Sequence, residues 1–389
     1  MMTAQGKENA VYISQIDELF ERFKKEKTFY AKNWVDRLTA PVSEGGQPPI
    51  YIWGAGQLGN DLYDRFFRRV GIAVSAYVDI APEKQEKKLW NSVPVIAPKE
   101  MEPCGRVVIA VNGHWDDIKK TCLELGVSEE NIFFAPVSMM TWNANYQCAV
   151  DDAFCRRMVY EAKELIPCFG TDCRSKEILV EIISRRLLDA SQPISQDGAQ
   201  YFISELPLRP EEAFVDAGAF DGDTLREFIQ KFPAGISMKG VHYYAFECGK
   251  GNYQMFQRNL ERLDCDFPVE LYTVALWEKR EYLGFCDNST SGIISEAGEQ
   301  QVLADSLDHI LAGKKVSWIK MDIEGAEMKA LSGCAAIIQV QKPRLAICVY
   351  HKPEDFYEIP KYIKSLRSDY QMLLRHHSSE EFDLVLYAF

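Results

Sequence analysis

Phe214-Val215-Asp216-Ala217-Gly218-Ala219-Phe220-Asp221-Gly222-Asp223-Thr224 reads as a buried strand running into a turn with two glycines, with a helix beginning near Thr224. Glycine lacks a Cβ, so the backbone of such a turn approaches a ligand closely. In open α/β sheets the ligand lies beyond the carboxyl end of the strand. Asp216, Asp221 and Asp223 load this turn with negative charge. A pyrophosphate cradle turns helix N-terminal amides toward an anion, and extra carboxylates there would repel it. They suit a ligand carrying an ammonium and a sulfonium, which favours S-adenosylmethionine over NAD at this turn.

The next strand, from Tyr243, ends at Phe246-Glu247. An acid at the end of the second strand can accept hydrogen bonds from both hydroxyls of a ribose. One helix separates the two strands, as a parallel βαβ unit requires. Further strands are predicted at Leu271 to Leu276, Val316 to Met321, Leu345 to Val349, Gln371 to Arg375 and Leu384 to Tyr387. Strands alternating with helices, the last two strands close together, predict a doubly wound sheet ending in a hairpin.

Ile319-Lys320-Met321-Asp322-Ile323-Glu324-Gly325-Ala326-Glu327 resembles the hallmark strand and turn of the FkbM family of methyltransferases. Phe214 to Thr224 and Phe246-Glu247 are similar to that family's first two motifs. Tyr350-His351-Lys352-Pro353-Glu354-Asp355-Phe356, Leu374-Arg375-His376-His377-Ser378 and Leu386-Tyr387-Ala388 look like its later blocks. The resemblance spans residues 211–389. It departs at Cys248-Gly249-Lys250-Gly251-Asn252, where the family usually has a Pro-x-Pro-like turn. It implies a seven-stranded class I methyltransferase fold and methyl transfer from S-adenosylmethionine to a hydroxyl of a sugar, glycan or natural-product-like metabolite. It further implies that Asp216, Gly218 and Asp221 lie on the amino-acid half of the cofactor and Glu247 on its ribose. Asn252 joins the cofactor-binding set, and Ala275, within Thr273 to Leu276, approaches the adenine edge.

Methyl transfer to a hydroxyl is an in-line displacement, so the protein must position the acceptor and remove its proton. Asp322, Glu324 and Glu327 follow the fourth strand, and His351 follows the fifth. Asp322, His351 and Glu324 are therefore the candidate catalytic residues, with His351 as general base because imidazole titrates near neutrality. Glu327 equally suits the positive end of the following helix. A divalent cation on the same groups would orient vicinal hydroxyls and lower the pKa of the attacking one, an alternative to a metal-free site. Lys320 reads as a pocket or snorkelled residue. One of His376 and His377 is a further pocket candidate, and Leu283 to Ala304 reads as a lid or acceptor loop.

In the first half, Gly54-Ala55-Gly56-Gln57-Leu58-Gly59 lies between the apolar run Ile50 to Trp53 and a helical stretch reaching Val70. Asp79 closes the next predicted strand, Val74 to Val78. Context and spacing fit a dinucleotide fingerprint, which makes Gly54, Gly56, Gly59 and Asp79 candidate nucleotide-binding residues. Predicted strands at Arg106 to Val111 and Ile132 to Phe134 continue the pattern. No domain for hydride transfer follows. The pattern of Val93 to Ile96 and Val108 to His114 resembles the small sugar-nucleotide or acyltransferase-associated Rossmann domains more than a dehydrogenase. Nucleotide or nucleotide-sugar binding and a docking role both stay open. The chain thus reads as α/β, with two Rossmann-like doubly wound sheets joined by a helical connector. The expected segments are an N-terminal helical segment and linker at 1–49, a Rossmann-like domain at 50–136, the connector at 137–210 and the methyltransferase domain at 211–389.

The formal net charge is −13, which argues against a nucleic-acid partner because phosphate binding needs a basic face. No apolar run reaches the roughly 18–20 residues that span a bilayer. The N-terminal MMTAQGKENAVYISQ lacks the regions of a signal peptide. The 11 cysteines form no framework and suit a reduced compartment. Cys168 and Cys173 alone fall short of a zinc site. The expectation is a cytoplasmic enzyme with a small-molecule or glycan substrate, self-association left open. The competing classes are an NAD(P)-dependent oxidoreductase centred on Gly54 to Gly59 and a non-catalytic module that binds S-adenosylmethionine.

Overall fold

The computed structural model describes all residues except 1–2, 27–29, 42–46, 86–92, 112, 136–138, 190–193, 264, 287–291, 295–297, 299 and 379–380. Part of the predicted linker at Pro41 to Pro49 and part of the predicted lid at Leu283 to Ala304 therefore lie outside the described residues. The chain divides into two compact units, Ile16–Val159 with Ile182–Gln192, and Met1–Gln15 with Tyr160–Glu181 and Pro193–Phe389. No described helix is long and apolar enough to cross a membrane.

The first unit holds a parallel sheet of β1 (Ile50–Trp53), β2 (Ala76–Val78), β3 (Val95–Ile96), β4 (Arg106–Ile109) and β5 (Ile132–Phe134), in the order β3-β2-β1-β4-β5. Side chains alternate across a strand, and a parallel sheet covered on both faces needs both sets apolar. Ile50 and Ile52 accordingly pack with Trp34, Phe66, Phe67 and Trp142. Tyr51 and Trp53 pack on the other side with Val107, Ile109 and Cys122. A π-helical turn at Tyr63–Phe67 follows the helix Gln57–Leu62, and adjacent Phe66 and Phe67 are both fully buried within it.

The second unit holds two sheets. The larger is built from β6 (Ala213–Ala217), β7 (His242–Phe246), β8 (Val269–Tyr272), β13 (Trp318–Met321), β14 (Arg344–Cys348), β15 (Met372–His376) and β16 (Leu384–Ala388). Its order is β15-β16-β14-β13-β6-β7-β8, parallel except for β16, which runs antiparallel to both neighbours. This is the predicted doubly wound sheet with a terminal hairpin. A smaller sheet has the order β11-β10-β12-β9, from β9 (Ala275–Leu276), β10 (Glu281–Cys286), β11 (Ile293–Ile294) and β12 (Gln300–Asp305).

Two expectations are corrected here. The apolar run Leu271 to Leu276 is not one strand: β8 ends at Tyr272, and Ala275-Leu276 pairs instead with Ala304-Asp305 of the smaller sheet. The segment Leu283 to Ala304 is not simply a loop, because its described residues include most of β10, all of β11 and most of β12.

Candidate active site

The carboxyl ends of β6, β7 and β13 border a cavity of about 340 Å³. Strand register puts Asp216 of β6 opposite Lys320 of β13. Lys320 Nζ stands 3.0 Å from Asp216 Oδ1, with the two side chains 3% and 0% exposed. Lys320 also donates to the carbonyl of Gly218 at 2.8 Å, and the Tyr243 hydroxyl donates to Asp216 Oδ2 at 2.7 Å. Burial pushes the Asp216 carboxyl up, against the pull of Lys320 and Tyr243. Burial works to discharge Lys320, but Asp216 and Asp322 outweigh it and raise its pKa.

Lys320 lines the cavity and Asp216 does not. Asp216 is thus a buried partner of Lys320, not a wall of the pocket as the sequence suggests. Asp221 is also outside the lining; it pairs with Arg226 at 3.0 Å and accepts a hydrogen bond from Asn259 through its carbonyl. Gly218 lines the cavity at φ +79°. A Cβ there would lie 1.9 Å from the carbonyl oxygen of Asp322, so the two turns can approach only with glycine at this position.

Glu247 ends β7, where it is 9% exposed and lines the cavity. Its Oε2 accepts from the Phe220 amide at 3.0 Å and its Oε1 from the Gly249 amide at 2.7 Å. Burial pushes its carboxyl up to about 7, although these two amides pull the other way. Asn252, on the helix Lys250–Leu260, is buried on the same wall. Val274, Ala275 and Leu276, with Phe285 and Ile294 from the smaller sheet, make the wall's apolar stretch.

Asp322 and Glu324 line the cavity as well. Asp322 Oδ2 accepts from the Tyr201 hydroxyl at 2.8 Å and Oδ1 from the Tyr350 hydroxyl at 3.2 Å. Burial opposes the charge of Asp322, but His351 and Lys320 hold its carboxyl below the usual range. Glu324 sits at φ +55° in the turn after β13. His351, 3% exposed, lies behind these two, with Nε2 3.4 Å from Asp322 Oδ1 and 3.7 Å from Glu324 Oε2. Its Nδ1 is 2.9 Å from Oε1 of fully buried Glu327. Burial disfavours the imidazolium, yet Glu327, Glu324 and Asp322 outweigh it and raise His351 to about 9. The three carboxylates thus favour the imidazolium, whereas the general-base role expected from sequence needs the neutral ring.

Neither His376 nor His377 lines the cavity; His376 is fully buried in β15, and the His377 ring is within hydrogen-bond distance of Gly198 and Tyr387. Sequence reasoning missed Gln200, Tyr201 and Asp383, which also line the cavity. Gln200 donates to Tyr201 at 3.0 Å and to Asp383 at 3.3 Å. Positive φ values of +65° at Tyr201 and +59° at Asp383 mark both, a feature that no sequence pattern announces for these residue types.

In the other unit, Gly54, Gly56 and Gly59 follow β1, and Asp79 follows β2. Asp79 Oδ2 accepts from the Ala55 amide and from Lys84, both at 3.0 Å, and Oδ1 accepts from the Ala81 amide at 3.0 Å. A Cβ on Gly54 would meet the Ala110 carbonyl at 2.5 Å, and one on Gly59 the Gly54 carbonyl at 2.0 Å. One on Gly56 would meet nothing within 4 Å.

Residues 216–372, in the second unit, match a family model described as Methyltransferase FkbM domain. A solved structure of methyltransferase FkbM from Methylobacillus flagellatus KT aligns over 98% of this chain and 99% of its own, at 22% identity and a TM-score of 0.57. That likeness establishes a shared fold. An rRNA methylase from Streptococcus thermophilus covers 46% of this chain and 86% of its own, at 17% identity and a TM-score of only 0.30. No curated protein matches the sequence.

Proposed function

We propose that the chain transfers a methyl group from S-adenosylmethionine to a hydroxyl oxygen of a sugar, glycan or similar polyhydroxylated metabolite. The observation that carries this reading is Glu247. Each of its carboxylate oxygens takes one backbone amide, and a carboxylate oxygen has two lone pairs. Each oxygen keeps one further lone pair on a side chain that lines the cavity, the number that two vicinal ribose hydroxyls need. Val274, Ala275 and Leu276 give the same cavity an apolar wall for an adenine, and Asn252 adds a polar side chain between them and the turn after β6.

The charge of the lining supports the same ligand. Among the described residues, Asp223, Glu247, Asp322, Glu324 and Asp383 line the cavity against one cation, Lys320. Such a site favours a ligand with positive charge and opposes the phosphates of a dinucleotide. S-adenosylmethionine supplies an electrophilic methyl on a sulfonium. The chain's own residues orient an acceptor and receive its proton. Asp322, held by Tyr201 and Tyr350 at the cavity wall, is the proposed proton acceptor. Gln200, Glu324 and Asp383 offer hydrogen-bonding groups to the remaining hydroxyls of a polyol.

Titration calorimetry with S-adenosylhomocysteine tests the cofactor assignment. The parent protein should bind it, and Glu247→Ala should weaken binding by at least about tenfold through loss of two charge-assisted hydrogen bonds. Parallel titrations with NAD and a UDP-sugar cover the competing classes. Absence of binding in the parent, or unchanged affinity in the variant, would refute the reading.

A further inference from the structure

We propose that Asp322, Glu327 and His351 form a divalent-cation site at the acceptor end of the cavity. One ligand atom from each lies within 4.8 Å of the other two. Donors about 2.0–2.3 Å from a shared ion stand about 3–4.5 Å apart; only one ring nitrogen can ligate the ion, so a turn of the His351 ring that presents one nitrogen to both carboxylates brings this set onto one ion.

His351 supplies an independent indication. It is buried, and neither ring nitrogen makes a hydrogen bond among the described residues. Nδ1 is 2.9 Å from Glu327 Oε1 but is not in line for an N–H···O bond. Nε2 faces Asp322 at 3.4 Å and Glu324 at 3.7 Å, too far for good hydrogen bonds and near the spacing of neighbouring donors on a metal. Glu327 Oε2 is likewise buried without a partner. Buried polar groups normally find partners, so a ring facing three carboxylates and bonded to none is a ligand set lacking its ligand.

Imidazole with carboxylates suits Mn²⁺ among the common divalent ions. Asp322 and Glu324 line the cavity, which gives an ion both an entry and open positions toward an acceptor. A hydroxyl bound there would be oriented and made more acidic. That role rests on the methyl-transfer reading, whereas the site itself does not.

The test is titration of the chelator-treated full chain with MnCl₂, following free Mn²⁺ by electron paramagnetic resonance. One equivalent should bind with a Kd on the order of micromolar, above weak surface binding. Asp322→Asn and Glu327→Gln should each weaken it by at least about tenfold, while Glu227→Gln leaves it unchanged. If Glu327→Gln fails to fold by circular dichroism, Asp322→Asn decides. No saturable binding in the parent to about millimolar, or unchanged affinity in Asp322→Asn, overturns the site. Calorimetry with S-adenosylhomocysteine on the same samples separates the two ideas. Loss of the nucleoside ligand with Mn²⁺ retained removes the methyl-transfer reading and supports the site.

Discussion

Asp216→Asn should loosen the ends of β6 and β13 without touching the cavity wall. The substitution keeps the shape of the side chain and leaves the Lys320 ammonium, 3% exposed, facing a neutral amide at 3.0 Å. Removing one partner of a buried ion pair costs about 3–5 kcal/mol, because the survivor is left charged and dry. Gly218 still accepts from Lys320, so the lower end, about 3 kcal/mol, is expected. Lys320→Met should cost less, about 1–2 kcal/mol, because Asp216 can shed its charge by taking a proton. Burial already pushes that carboxyl up. The double variant carries no stranded charge, so its cost should fall short of the sum of the singles by about 1–3 kcal/mol.

Hydrogen exchange read by mass spectrometry on peptides spanning β6 and β13 gives these values locally, without requiring the whole chain to unfold in one step. A loss of 3 kcal/mol appears as roughly a hundredfold faster exchange. The reasoning fails if Asp216→Asn leaves exchange in both strands within about threefold of the parent. It fails equally if the singles sum to the double within about 0.5 kcal/mol.

Two further outcomes follow from the geometry. Glu247 offers charge-assisted acceptance to both ribose hydroxyls only when ionised, and burial pushes its carboxyl up to about 7. The free site is therefore protonated below about 7, and affinity for S-adenosylhomocysteine should fall roughly tenfold between pH 8 and pH 6, an effect lost in Glu247→Gln; a flat calorimetric profile in the parent would rule this out. In the first unit, Gly59→Ala should lower the melting temperature sharply because its Cβ would lie 2.0 Å from the Gly54 carbonyl, whereas Gly56→Ala, at φ −123° and meeting nothing within 4 Å, should stay within about 0.5 kcal/mol of the parent. Equal melting temperatures for the two variants would contradict the packing account.

The main sheet of each unit was legible because parallel strands buried on both faces appear as unbroken apolar runs, and Ile50 to Trp53 in the first and Phe214-Val215 and Leu345 to Val349 in the second all have that form. Glu247 was legible for a related reason: an acid at the end of such a run has no place in the core and must face the functional edge. Asp216 looked the same, yet it does not line the cavity. It sits inside β6, and whether its side chain meets a ligand or another strand depends on register with β13, which is distant in sequence. Local pattern carries no information on that pairing. The surroundings of His351 were hidden in the same way, since its three carboxylates arrive from the turn after β13. Tyr201 and Asp383 come from turns with no repeat to betray them, and only the assembled fold brings them to Asp322 and Gln200.

The chain contains two glycine turns, each paired with an acid at the end of the following strand, and the difference between them is physical. Around Asp79 the acid is committed to its own unit: two backbone amides and Lys84 occupy it, and they hold its carboxyl low against burial. Gly54 and Gly59 are explained by packing alone, since a side chain at either would strike a carbonyl. Around Glu247 the two amides leave each oxygen half-satisfied, and burial raises the carboxyl toward neutrality. A buried acid held near its titration point, with unused lone pairs facing a cavity, is destabilised until hydrogen-bond donors arrive. A ligand bearing two adjacent hydroxyls relieves that cost at Glu247. At Asp79 little such cost exists, because its donors are already in place. The glycine fingerprint is therefore the weaker signal of the two features, and the unsatisfied acid is the one that points to a ligand.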